Sequence, residues 1–311
     1  MTGHGTVRPV RLGPRSVVAL VLVSAVGVVA FGWPLLADGA SSLADRSGSA
    51  PWLFAALLPL LVGVVVATIA DQGMDAKAVA MLGVLAAVGA ALRPLGAGTA
   101  GLEPMFFLMV LSGRVLGPGF GFVLGAVTMF ASALLTGGVG PWMPYQMLSM
   151  AWFTMGAGLL PRRIGGRAEL LTLALYGAVA AFAYGTIMNL QGWVLLQGMG
   201  SGISFQAGDP LRENLVRFVA YCAATSLGWD AGRAALTVVL VLTIGSTVLK
   251  ALRRATRRAA FEAQVTFEGP QKPHRAPFGV RRPTRPTSHT SRVSSPDGVS
   301  ADPRSARGDL R

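Results

Sequence analysis

Residues 104–136 read PMFFLMVLSGRVLGPGFGFVLGAVTMFASALLT, with Arg114 as the single charge. The uncharged run 104–113 is too short to cross a bilayer as an ordinary span. The run 115–135, which begins at Gly117-Pro118-Gly119, is long enough, because a span needs about 20 apolar residues. Gly117, Gly121 and Gly125 recur every four positions and so share one helix face. A ridge without side chains is a close-packing surface for a second helix. Uncharged runs continue outward on both sides, at 16–37, 52–70 and 78–92 and then at 142–160, 170–197 and 231–249. Eight segments, one of them short, predict an all-α integral membrane protein.

Composition agrees. Of 311 residues, 52% are hydrophobic and 13% charged, where a soluble domain carries about 25% charged residues. The net charge is +13, but residues 250–311 hold 14 of the 27 Lys+Arg and 5 of the 14 Asp+Glu. The basicity therefore belongs mostly to a tail and does not argue for nucleic-acid binding. Residues 262–311 are rich in Pro, Ser, Thr and Arg, cannot bury enough to offset their ordering entropy, and read as a disordered cytoplasmic tail that touches anionic lipid at most. Cys222 is the only cysteine, and His4, His274 and His289 all lie in the terminal segments. No disulfide, Cys cluster or intramembrane His site is expected, and no metal, cofactor or catalytic residue is assigned. No GxxxxGK[ST] motif occurs, so any energy-coupled work needs ATPase activity from another chain.

Charge placement orients the helices. Arg8, Arg11 and Arg15 form a basic cytoplasmic lead over 1–15, ahead of a helix pair within 16–71. A cleavable signal peptide competes for the first helix, but its apolar region would be about 7–15 residues, and this run has 22. Alternation then places Lys77, Arg114, Arg162, Arg163, Arg167 and the tail inside, as the positive-inside bias requires. Both termini are cytoplasmic on this scheme. Residues 214–229 carry Asn214 and Arg217 and read as a helix at the outer surface.

The outer loops collect polar and aromatic residues. Arg93 and Glu103 flank a glycine-rich loop between two prolines. Trp142, Tyr145 and Gln146 sit at a helix mouth, as an interfacial aromatic belt or as a ligand platform. Asn189 and Trp193 lie four apart near the end of the long helix. Amides in an uncharged span need a neighbour, water or ligand. Asp230 reads as an N-cap of the last helix. Ala76 and Ala80, and Ala86 and Ala90, lie four apart on a small-residue helix that packs within the chain or docks a partner.

The segments ALRPLGAGTAGLEP (91–104), FFLMVLSGRVLGPGFGFVLG (106–125), LLTGGVGPWMPYQML (134–148), GAGLLP (156–161) and ATSLGWDAGRA (224–234) resemble the substrate-binding S component of an energy-coupling factor (ECF) vitamin transporter, in particular its actinobacterial and cobalamin-type group. The resemblance covers Asp75 to Arg254. It implies a six-helix core within 75–254, with helices at 76–92, 104–114, 115–136, 142–161, 168–197 and 230–252, in the cell membrane. It implies a ligand pocket opening outward between the loops 93–104, 136–145 and 198–229. It implies an alanine face that docks a transmembrane T subunit carrying two ATPase subunits, and import by toppling of the S component. On this reading Arg93 and Glu103 gate or make polar contacts. Trp142, Tyr145 and Trp193 stack on or cover the ligand, and Gln146, Asn189 and Asp230 hydrogen-bond it. Ala76, Ala80, Ala86 and Ala90 dock the partner. The ligand is a vitamin-like solute, a corrinoid by preference. Two other readings stay open: an accessory or structural membrane protein without a ligand, and a self-sufficient small-solute carrier.

Overall fold

The computed structural model describes residues 13–36, 61–65, 76–96, 100–196, 202–206 and 208–260. Most of the lead, most of the second amino-terminal run and the whole 262–311 tail lie outside the described residues. The described helices are α1 (Pro14–Leu36), α2 (Ala76–Leu92), α3 (Met105–Leu116), α4 (Pro118–Thr136), α5 (Met143–Leu159), α6 (Gly166–Trp193), α7 (Leu211–Thr225), α8 (Leu227–Thr243) and α9 (Gly245–Ala260), with one helical turn each at Pro94–Gly96 and Val194–Leu196. Residues 61–65 are also helical, and no strand occurs among the described residues.

The chain is a helical membrane protein. α1, α2, α4 and α6 are long and apolar enough to cross a bilayer, and α8 with α9 passes the same test as a bent pair. With 12 residues, α3 extends about 18 Å at 1.5 Å per residue, well short of an apolar layer of about 30 Å.

Two expectations change. The last helix is not one rod over 230–252: it breaks at Ile244, and α9 departs at 71°. The Gly245-Ser246 pair that follows is a usual place for a kink. Beyond it Leu249, Leu252 and Thr256 face inward while Lys250, Arg254, Arg257 and Arg258 are exposed. Each such charge at mid-membrane costs about 2.5–3.5 kcal/mol, so α9 does not extend the span. The surface helix expected over 214–229 ends at Thr225, and α8 begins at Leu227. Ser226 is therefore the N-cap residue, and Asp230 lies inside the first turn rather than capping it.

Glycine decides how the core packs. A Cβ on Gly113 of α3, or on Gly121 or Gly125 of α4, would run into the α5 backbone at Thr154 or Met150. A Cβ on Gly158 of α5 would meet the Gly117-Pro118 backbone. The glycine ridge read from the sequence thus faces α5. Gly117 links α3 to α4 at φ 88°, a conformation L side chains rarely adopt, and Pro118 opens α4, where its missing N–H costs nothing. α1 belongs to the same core. Its Ser24 accepts a hydrogen bond from Trp152 Nε1 (2.9 Å), and its Phe31 meets Tyr145 edge-on with centroids 4.6 Å apart.

Charge ties the helices together where α3 ends. Arg114 Nε and Arg253 Nη2 both donate to Glu169 Oε1, at 2.7 and 2.6 Å. Arg114 also donates to the carbonyls of Leu160, Pro161 and Ile164 at 2.9–3.1 Å. It thereby satisfies acceptors past the end of α5 that have no helical partner.

The packing yields a paired prediction. Gly125→Ala forces α4 away from α5 and should lower the thermal midpoint of the detergent-purified protein, with a cost of about 1–3 kcal/mol. Gly83→Ala, where an added methyl meets nothing, should leave the midpoint unchanged or raise it, since alanine favours a helix by about 1 kcal/mol over glycine. Equal behaviour of the two variants would contradict the packing.

Candidate functional site

At the opposite end of α3 from Arg114 a second polar cluster forms. The chain turns at Ala100 and Gly101, both with positive φ, and lies directly on the start of α8. A Cβ at Gly101 would strike the Trp229 backbone, and one at Gly232 would strike the Ala100 carbonyl. This close approach delivers Glu103 to Arg233, with Arg233 Nε donating to Glu103 Oε2 at 3.1 Å. The same guanidinium donates through Nη1 to Asp230 Oδ1 at 2.6 Å. Gly185 on α6 leaves the space that the Asp230 carboxylate fills. Arg233 also sits over two aromatic rings, 4.8 Å from the Phe106 centroid and 5.2 Å from that of Tyr184. Asp230 and Arg233 are buried, so each charge depends on its partner.

A hydrogen-bonded chain continues from the carboxylate. Ser226 Oγ donates to Asp230 Oδ2 (3.1 Å), and Asn189 Nδ2 donates to Ser226 Oγ (2.7 Å) and towards Cys222 Sγ (3.2 Å). Burial pushes the Cys222 thiol up, which keeps it a neutral acceptor rather than a nucleophile. Separately, Arg93 donates to Ser132 Oγ (3.2 Å) and Gln146 Oε1 (3.4 Å).

Five of the eight expected binding residues thus meet at one end of the bundle: Arg93 with Gln146, and Glu103, Asp230 and Asn189 joined through Arg233 and Ser226. The three aromatic residues go elsewhere. Trp193 is fully buried, donates to the Ile203 carbonyl (2.8 Å) and packs against Phe205 and Phe218. It therefore anchors the 202–206 loop and α7. Asn214 completes that unit by bonding the Gln206 backbone at both N and O. Tyr145 is fully buried beneath Phe31 of α1. Trp142 is 43% exposed and donates to its own loop at Gly138.

The alanine face also divides. Ala86 and Ala90 are buried in this chain's own core, while Ala76 and Ala80 are exposed. The pairs at 76/80 and 86/90 do not share one outward surface.

Arg233, Tyr184 and Ser226 are central here and were not singled out as binding residues in the sequence. The available signal was an Asp and an Arg three apart in an otherwise apolar helix, where an ionisable residue marks function. The arrangement offers charge, amide and hydroxyl groups beside aromatic faces, and that chemistry suits non-covalent recognition of a polar solute.

Removing Arg233 alone should be severe. Arg233→Met leaves two carboxylates without their cation and should cost about 3–5 kcal/mol, whereas the triple change Arg233→Met, Glu103→Gln, Asp230→Asn should recover most of that loss. Thermal denaturation in detergent measures both, and a triple variant no better than the single one would refute the coupling. Compared with protein-family models, curated proteins and solved structures, the chain has no match.

Proposed function

We propose that this chain is the substrate-capture subunit of an ECF-type importer in the cell membrane. It binds a vitamin-like solute at the Arg93 end, with a cobalamin-type corrinoid as the preferred ligand. A separate T subunit and two ATPase subunits supply the energy, and both termini face the cytoplasm. One observation carries the reading. Two polar groups lie at one end of the bundle: Arg93, just beyond α2, with Gln146 on α5, and Glu103, before α3, with Asp230 on α8 and Asn189 on α6 through Arg233 and Ser226. Five separate parts of the chain bring costly polar groups to one end of an apolar bundle, which is the expected form of a small-solute site.

The division of labour also fits. No Walker A motif is present, so the energy comes from a partner. Docking of the T subunit belongs on the exposed side of α2 at Ala76 and Ala80, where Gly83 and Ala87 are also exposed. Ala86 and Ala90 support that face from within. The same open face supports one competing reading, an accessory protein that associates through α2 without any ligand.

Thermal stability of the purified chain against a panel of vitamins separates the two readings. A true ligand at about 100 times its Kd should add about 2.7 kcal/mol. Stabilisation by cobalamin or cobinamide alone identifies the substrate class, and stabilisation by a different vitamin replaces it. No stabilisation of a demonstrably folded protein favours the accessory role.

A further inference from the structure

The arginines that are at least partly buried among the described residues are Arg93, Arg114, Arg217, Arg233 and Arg253. Four of them touch a carboxylate. Arg114 and Arg253 share Glu169, Arg217 meets Asp209 and Glu213, and Arg233 meets Glu103 and Asp230. Arg93 has no carboxylate among the described residues. Its guanidinium reaches Ser132 Oγ at 3.2 Å and Gln146 Oε1 at 3.4 Å, both neutral acceptors and both at or beyond the long end of the usual range. A guanidinium carries five N–H donors in a planar fork, so most of this fork has no protein acceptor among the described residues.

We infer that Arg93, held between α4 and α5 by Ser132 and Gln146, binds an anionic group of the captured solute, a carboxylate or a phosphate. The inference rests on the capture reading above and names the ligand's chemistry. Ser132 and Gln146 hold the guanidinium without neutralising it and leave N–H donors with no acceptor among the described residues. A carboxylate or phosphate fills two of them at once, and such a bidentate, charge-assisted contact is stronger than one to a neutral group. The other four at least partly buried arginines among the described residues each meet a carboxylate of this protein. Among the described residues Arg93 is the one of the five whose charge no carboxylate meets.

The test uses the full chain, purified in detergent and freed of phospholipid, with its thermal midpoint read against matched solutes. The pairs are nicotinate and nicotinamide, pantothenate and panthenol, riboflavin 5′-phosphate and riboflavin, and cobinamide phosphate and cobinamide. The member carrying the anionic group should, in at least one pair, stabilise the protein at a concentration tenfold or more below its counterpart without it. Arg93→Gln should erase that preference relative to its own unliganded midpoint. Arg93→Lys, which keeps the charge without the fork, should retain part of it. Equal binding of members with and without the anionic group, or a preference that survives in Arg93→Gln, overturns the assignment and leaves solute capture standing. No stabilisation by any compound, with the protein folded, overturns both. A stabilisation dependent on Arg93 that comes from added phosphatidylglycerol alone, with every solute inert, makes the anion a lipid headgroup and overturns the solute assignment.

Discussion

α3 is a short, almost wholly buried helix held by charge at both ends, and the other core helices are arranged around it. Ten of its twelve residues are buried. Glu103, two residues before it, enters the ion cluster with Arg233 and Asp230. Arg114, near its end, enters the cluster with Glu169 and Arg253. A helix of about 18 Å is shorter than an apolar layer of about 30 Å, which leaves these charges within or close to it, with Arg114, Glu169, Asp230 and Arg233 all 10% exposed or less. Each is therefore stable only with its partner in place. The two clusters recruit α6, α8 and α9, so one short helix sets the positions of three others.

Close packing supports this arrangement through absent side chains. Glycines on α3, α4 and α5 bring those backbones together on one side. Gly101, Gly185 and Gly232 do the same work on the other, where they admit the Glu103 turn and the Asp230 carboxylate. Without a hydrophobic drive between helices in lipid, contact of this kind and interhelical hydrogen bonds are the main sources of specificity. The polar site is thus a product of the packing: its charges meet because three glycines let two helices and a turn approach.

The two ends of α3 differ in one respect that bears on function. Around Arg114 four donor bonds are made, to a carboxylate and three carbonyls. Around Arg93 most of the fork has no acceptor among the described residues. The first arrangement is a structural joint, and the second leaves a half-buried charge with donors to spare at a bundle end.

Much of this was legible in the sequence. Uncharged runs marked the helices because a bilayer penalises charge independently of tertiary contacts. Glycines four apart marked a packing face because a helix repeats every 3.6 residues. Arg93, Glu103, Gln146, Asn189 and Asp230 stood out because polar groups in apolar segments need partners. What the sequence could not show was which partners they take. Trp193 and Tyr145 look like ligand aromatics by position, yet the loop at 202–206 and helix α1 cover them. Those contacts join residues 10 and more than 100 positions apart. Ala86 and Ala90 turn inward because α2 packs on α4, a choice that four-residue spacing leaves undetermined. Arg233 becomes the centre of the site only when a turn 130 residues away brings Glu103 to it. Composition and periodicity are local properties and determined the membrane class and the helices. The pairing of charges depends on which backbones approach closest, and only the tertiary structure decided that.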